Sequence, residues 1–198
     1  MWDQRYDRED YFYGTEPNAF LMAQAHRLKA GMRALAVADG EGRNGVWLAE
    51  QGLAVTSIDS SSVGLAKARR LAASRGVAVA FEQADVATWP WPPAAYDVVA
   101  AIFIQFAAPA LREKLFEDFK ATLKPGGLLL LQGYRPEQVD YATGGPSERE
   151  NMYTREMLAG AFGDFDILLL REHDSEIHEG VRHSGLSALV DLVAQKPV

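Results

Sequence analysis

The sequence predicts an α/β fold built on a doubly wound, mostly parallel sheet of seven strands, and three observations predict it. Short β-rich runs alternate with longer helical patterns, which is how a parallel sheet with crossover helices reads. A glycine-rich turn follows the first apolar run and opens a helix. The last two β-rich runs are joined without a helix, so they pair antiparallel as a C-terminal hairpin.

The elements follow in order. Strands are expected at Arg33 to Ala38, Ala54 to Ile58, Val77 to Gln83, Tyr96 to Ile104 and Gly127 to Tyr134. Between them, Asn44 to Gln51 reads as a helix stopped by Gly52, and Ser62 to Ser74 as one opened by Ser60 and Ser61 and closed at Gly76. A further helix runs from Leu111 to Leu123. The segment Arg135 to Asn151 contains Gly144, Gly145 and Pro146, which break regular structure and fit either a mobile lid or an ordinary surface loop. A helix from Thr154 to Phe162, a strand from Phe165 to Arg171, a turn-rich stretch and a strand from Ser187 to Ala194 complete the chain.

With 198 residues, one domain is expected over 1–198, with residues 1–30 as an N-terminal helical or lid segment and 31–198 as the core. Hydrophobic residues make up 48% of the chain, yet no run of eighteen apolar residues occurs and the start MWDQRYDRED lacks a signal-like apolar stretch. A cytoplasmic protein with no membrane partner is expected. The absence of cysteine removes disulfides, thiolate metal sites and cysteine nucleophiles. The net charge of −7, with basic residues scattered, favours a small-molecule substrate over nucleic acid.

The run LAVADGEGRNG sets Gly40 and Gly42 between strand and helix, where backbone N–H groups are presented to a polar or anionic ligand. Gly40, Gly42 and Gly45 also satisfy the G-x-G-x-x-G spacing of dinucleotide folds, and a glycine turn without a ligand fits as well. Asp59 ends the next strand, where a carboxylate can receive both hydroxyls of a ribose; capping the following helix is its other role. Asp85 lies at the carboxyl edge of the third strand, suited to an adenine amino group or to a solvated turn. Three consecutive strands delivering such groups at one edge of the sheet make the constellation, rather than any member, the signal.

At these residues the sequence resembles the class I S-adenosylmethionine-dependent methyltransferases, from about Tyr11 to Lys196. The runs GEGRNGVWLAEQG, VTSIDSSS, QADV, YDVVAAIFIQF and LKPGGLLLLQGY carry the resemblance, and GEGRN is most similar to the small tellurite-resistance-like and thiopurine-methyltransferase-like branches. The resemblance implies a Rossmann-like fold and S-adenosylmethionine as cofactor, with methyl transfer to an unidentified small molecule. It implies that Tyr13, Asp39, Gly40, Gly42, Asn44, Asp59, Ser60, Asp85, Val86 and Ile102 surround the cofactor. Lys124 to Gly127 is then a structural turn into the fifth strand. One departure stands out: the acid and glycine usual in the first strand are Ala36 and Ala38, and Asp39 is the candidate to replace the acid. Two other readings stay open, an NAD(P)-dependent oxidoreductase and a non-catalytic cofactor-binding homologue.

On the acceptor side the candidates are Tyr11, Phe12, Tyr13 and Gly14, then Phe103, Gln105 and Phe106, then Tyr134 and Arg135, with His178 and Arg182 from the terminal hairpin. A methyltransferase mainly aligns its reactants and excludes water, so no catalytic residue is assigned and a base is needed only if the acceptor loses a proton. The stretch His173, Asp174, Glu176, His178 and His183 lacks the spacing of a metal site, and no metal is expected. Trp89 to Pro93 either shields adenine or packs locally. Monomer and homodimer are both open.

Overall fold

The computed structural model describes residues 1–180 and 183–198. Its helices are α1 (Trp2–Tyr6), α2 (Ala19–Ala23), α3 (Arg43–Glu50), α4 (Ser62–Arg75), α5 (Pro109–Thr122), α6 (Gln138–Tyr141) and α7 (Arg155–Ala161). The strands are β1 (Arg33–Val37), β2 (Ala54–Asp59), β3 (Ala80–Gln83), β4 (Tyr96–Ile102), β5 (Leu123–Tyr134), β6 (Asp166–Glu179) and β7 (His183–Gln195). They form one sheet in the order β3-β2-β1-β4-β5-β7-β6, with β1 to β5 parallel and β7 antiparallel to both β5 and β6.

Alternation along the buried strands splits the core into two layers, as a sheet covered on both faces requires. Leu35 and Val37 join Phe116, Phe119 and Phe162 on the α5 and α7 side, whereas Ala34 joins Phe20 and Leu48 on the α2 and α3 side. Ser61 caps α4 by accepting from the Gly64 N–H at 3.0 Å, and Gly76 ends it with left-handed backbone (φ +69).

Four expectations need correction. β3 is only four residues long, because Val77 closes the end of α4 by donating its N–H to Ala72 and only Ala80–Gln83 pair with β2. β4 ends at Ile102 because Phe103 turns into left-handed backbone (φ +54). β5 begins at Leu123, with Lys124 to Gly127 forming an irregularity where pairing jumps from Tyr96↔Leu123 to Val98↔Leu128. The largest difference lies in the C-terminal hairpin. The stretch expected to be turn-rich is strand on both arms, paired from Asp166↔Gln195 to Glu179↔His183. The hairpin therefore reaches past the sheet edge and brings Glu179 and His183 back to the carboxyl ends of β1 and β4.

Segment 135–151 contains α6 and a single 3₁₀ turn (Arg149–Asn151). It is tied down by Gln138, whose side chain donates to Thr143 Oγ1 at 2.9 Å and accepts from the Ala188 N–H at 2.8 Å.

Candidate functional site

The order of the sheet reverses between β1 and β4, and a cavity of about 350 Å³ opens there at the carboxyl ends of the strands. Its walls include Tyr13, Asp39, Asn44, Asp59, Ser60, Asp85, Val86 and Ile102, all of them expected cofactor residues. Gly40 and Gly42 shape the turn instead of lining it. Both have positive φ, +56 and +87. A Cβ on Gly40 would overlap the Tyr6 hydroxyl, one on Gly42 would lie 2.5 Å from the Ala68 Cβ, and one on Gly45 would lie 2.6 Å from Asp39 Oδ2. Three glycines thus make room for the N-terminal helix, for α4 and for a carboxylate.

That carboxylate settles how Asp39 is held. Asp39 Oδ2 accepts from the Gly45 N–H at 2.9 Å and from the Ser57 hydroxyl at 3.2 Å. Burial nevertheless pushes its pKa up to about 6, against the lowering effect of those bonds. A buried acid so raised favours a cationic partner. Ala36 is buried within β1, and Ala38 makes the turn (φ +49) without glycine.

Asp59 accepts from the Gly40 N–H and the Ser61 N–H, each at 2.8 Å. It therefore fixes the glycine loop against the start of α4, and each oxygen retains a lone pair for a ligand hydroxyl. Its pKa is raised, mainly by burial. Asp85 accepts from the Ala87 N–H at 2.9 Å, a local turn that leaves it on the cavity wall beside Val86.

A second cavity of about 570 Å³ adjoins the first, and Trp2, Tyr13, Phe103, Phe106 and His183 line both. Of the acceptor-side candidates, Phe12, Tyr13, Phe103, Gln105, Phe106 and Tyr134 line it. Gln105 has a largely structural part, since its amide pairs with the Tyr134 backbone through both its oxygen (2.6 Å) and its nitrogen (2.8 Å).

Three candidates are not brought to the site. Tyr11 donates its hydroxyl to the Lys67 carbonyl at 3.1 Å and packs on α4. Arg135 is paired with Asp174 and lies 3.7 Å from Glu137. His178 sits on an exposed part of β6 beside Ser184. Arg182, paired with it in the sequence reading, lies outside the described residues. The reason is register: in a long hairpin it is His183, opposite Glu179, that enters the cavity.

His183 is 8% exposed, with ring centroids 4.5 Å from Phe103, 4.6 Å from Tyr13 and 5.7 Å from Tyr134. Burial, then the guanidiniums of Arg43 and Arg5, push its pKa down to about 3, so the imidazole is neutral at pH 7.

Two further residues escape sequence reading. Lys67, 1% exposed on α4, pairs with Glu41 at 2.5 Å and donates to the carbonyls of Tyr6 (3.1 Å) and Asp10 (2.6 Å). Glu41 also accepts from the Tyr13 N–H at 3.3 Å, so one buried ion pair fastens the N-terminal segment over the glycine loop. A helix lysine ordinarily reads as a solvated face, and no sequence signal marks this one.

His173 contacts Asp191 at 3.0 Å and Asp174 contacts Arg135 and Tyr141, while among the described residues no group of three His, Asp or Glu converges. Trp91 donates to the Val86 carbonyl at 3.1 Å and meets Phe119 edge to face, so the Trp89 to Pro93 run packs locally. Among the described residues no helix is long and apolar enough to cross a membrane.

The mixed sheet, with its cavity at the switch point, is an α/β fold of the Rossmann-like type. Residues 34–127 match the sequence family described as a methyltransferase domain. The chain is 36% identical over 110 residues to the demethylmenaquinone methyltransferase of Thermus thermophilus, a match covering 54% of this chain and 50% of the relative. The crystal structure of TehB from Haemophilus influenzae superposes with a TM-score of 0.75 at 16% identity, over 90% of this chain and 62% of that one. The N-methyltransferase NodS from Bradyrhizobium japonicum, in complex with S-adenosyl-L-homocysteine, superposes with a TM-score of 0.74 at 12% identity, over 100% and 97% of the two chains. The chain thus spans half the length of the curated relative and under two thirds of TehB.

Proposed function

We propose that this protein is an S-adenosylmethionine-dependent methyltransferase acting on a small molecule, with the cofactor in the cavity at the β1–β4 switch point and the acceptor in the cavity beside it. The observation that carries the reading is the convergence of Asp39, Asp59 and Asp85 on one cavity behind a glycine turn that only small residues permit. The donor set suits the cofactor group by group. Asp39 meets the ammonium of its methionine part, Asp59 the ribose hydroxyls, and Asp85 with the Val86 backbone the adenine.

The cofactor supplies a methyl group on a positively charged sulfur, already a strong electrophile. The chain's task is to orient the two reactants and exclude water. Trp2, Tyr6 and Tyr13 from the N-terminal segment serve the second purpose, closing the mouth over the glycine loop under the hold of Lys67 and Glu41. The mixed sheet, with β7 antiparallel to β5, is what sets methyl transfer ahead of hydride transfer by a nicotinamide enzyme. The GEGRN run resembles the tellurite-resistance-like and thiopurine-methyltransferase-like branches, a likeness of the cofactor loop that names no acceptor. The protein is cytoplasmic on this reading.

Calorimetric titration tests it. S-adenosylhomocysteine is expected to bind the purified chain at micromolar concentration, with NAD and NADP silent. Asp59→Ala is expected to weaken binding at least tenfold while leaving the circular dichroism spectrum unchanged. Binding of NAD in place of S-adenosylhomocysteine would overturn the reading, whereas cofactor binding without turnover on any acceptor would favour the non-catalytic homologue.

A further inference from the structure

We propose that the 570 Å³ cavity takes a planar aromatic molecule bearing a hydroxyl group, with the ring held among the aromatic side chains and the hydroxyl hydrogen-bonded to the imidazole of His183. The proposal rests on the methyl-transfer reading, because it makes this molecule the acceptor.

The shape of the wall gives the ring. Trp2, Phe12, Tyr13, Phe103, Phe106 and Tyr134 all line the cavity, and they come from the N-terminal segment, from the turn after β4 and from the end of β5. Six aromatic side chains around one space of this volume favour a flat ligand of about two rings, while Arg5, Gln105, Ser147, Glu148 and Asn151 make the rest of the wall polar.

The polar atoms give the hydroxyl. His183 Nδ1 is buried and, among the described residues, has no hydrogen-bond partner. Asn151 Oδ1, on the wall of the same cavity, is likewise buried and unpartnered. Buried polar atoms without partners are costly and uncommon. Here both belong to the cavity wall, which is where a ligand would satisfy them.

The imidazole is neutral, so one ring nitrogen donates and the other accepts. A hydroxyl both donates and accepts, and so pairs with whichever nitrogen faces it, whereas an ether oxygen only accepts. His183 is also among the residues common to both cavities, so a hydroxyl held on its ring stands at the boundary where acceptor and cofactor meet. Phe103 marks the same boundary with left-handed backbone (φ +54), the kind of local strain that collects at functional sites.

The test uses the full chain with S-adenosylhomocysteine bound and two matched probes, 2-naphthol and 2-methoxynaphthalene. Wild type is expected to bind 2-naphthol at least tenfold more tightly, and addition of 2-naphthol is expected to shift the ring ¹⁵N resonances of His183. His183→Phe, which keeps a flat ring, is expected to abolish the preference. His183→Gln, which restores a hydrogen-bonding group, is expected to keep most of it. Equal binding of the two probes, no binding of either, an unshifted imidazole, or a preference that survives His183→Phe would each overturn the proposal. Failure of S-adenosylhomocysteine to bind wild type would instead overturn the methyl-transfer reading.

Discussion

Ala38 and Phe103 hold left-handed backbone at the ends of β1 and β4, on either side of the switch point, where the cavity walls begin. For a residue with a Cβ this conformation costs about 1–2 kcal/mol. Ala38→Gly is therefore expected to raise stability by about 1 kcal/mol, seen as an increase of about 2–4 °C in Tm. An unchanged or lower Tm would mean that the Ala38 methyl contributes packing that offsets the strain. Asp39 carries the pH dependence. Burial raises its pKa to about 6, and a bound ammonium favours the charged form and lowers it. Binding then releases a proton near pH 6, and affinity for S-adenosylmethionine is expected to fall roughly tenfold per pH unit below that value. Calorimetry in buffers of different ionisation enthalpy measures the proton release. Asp39→Asn should weaken binding and remove the pH dependence; a variant with wild-type affinity would show that Asp39 does not replace the acid absent at Ala36.

Two elements, the N-terminal segment and the C-terminal hairpin, close the site from opposite directions and meet at a glycine. A Cβ on Gly180 would lie 2.5 Å from Tyr13 atoms, and its φ of +71 is itself unfavourable for any other residue. Gly180→Ala is expected to cost about 1–3 kcal/mol in urea unfolding and to separate Tyr13 from His183, lowering affinity for any ligand of the second cavity. The N-terminal side depends on Lys67. Removing one partner of a buried ion pair leaves the other uncompensated, so Lys67→Met is expected to cost about 3–5 kcal/mol. Freed of its bonds to the Tyr6 and Asp10 carbonyls, the N-terminal segment should also be cut faster by trypsin after Arg5 and Arg8. Unchanged proteolysis would mean that Trp2 and Tyr6 dock without the clamp. Between the two elements runs a chain of polar contacts. Asn44 accepts from the Asn18 N–H (3.0 Å), Asn18 donates to Gln132 (2.7 Å), and Gln132 donates to Asp191 (2.6 Å), linking α3 to the hairpin.

At the scale of the molecule, the parallel core is legible in the sequence because its inner strands β1, β2, β4 and β5 are largely buried and its helices carry their own stop signals, as Gly52 and Gly76 do. The lining of the switch-point cavity is legible for the same reason: Asp59 ends, and Asp85 follows, a strand whose end the pattern defines. The lining of the second cavity is not. β6 is an edge strand, exposed over much of its length, so the charged run from Arg171 to Glu179 reads as a solvated turn and the hairpin appears short. With the hairpin short, His178 and His183 are indistinguishable, and only pairing register makes one exposed and the other buried. Lys67 is hidden by the same logic, since its partners Glu41, Tyr6 and Asp10 come together only in the tertiary fold. If the cavity at the switch point is the cofactor site, a crystal structure of the chain with S-adenosylhomocysteine will show the ribose hydroxyls on Asp59, the ammonium on Asp39, and the sulfur directed toward the boundary marked by His183 and Phe103. A ligand bound elsewhere, or in this cavity with Asp59 and Asp39 uncontacted, would show that the cavity has another role.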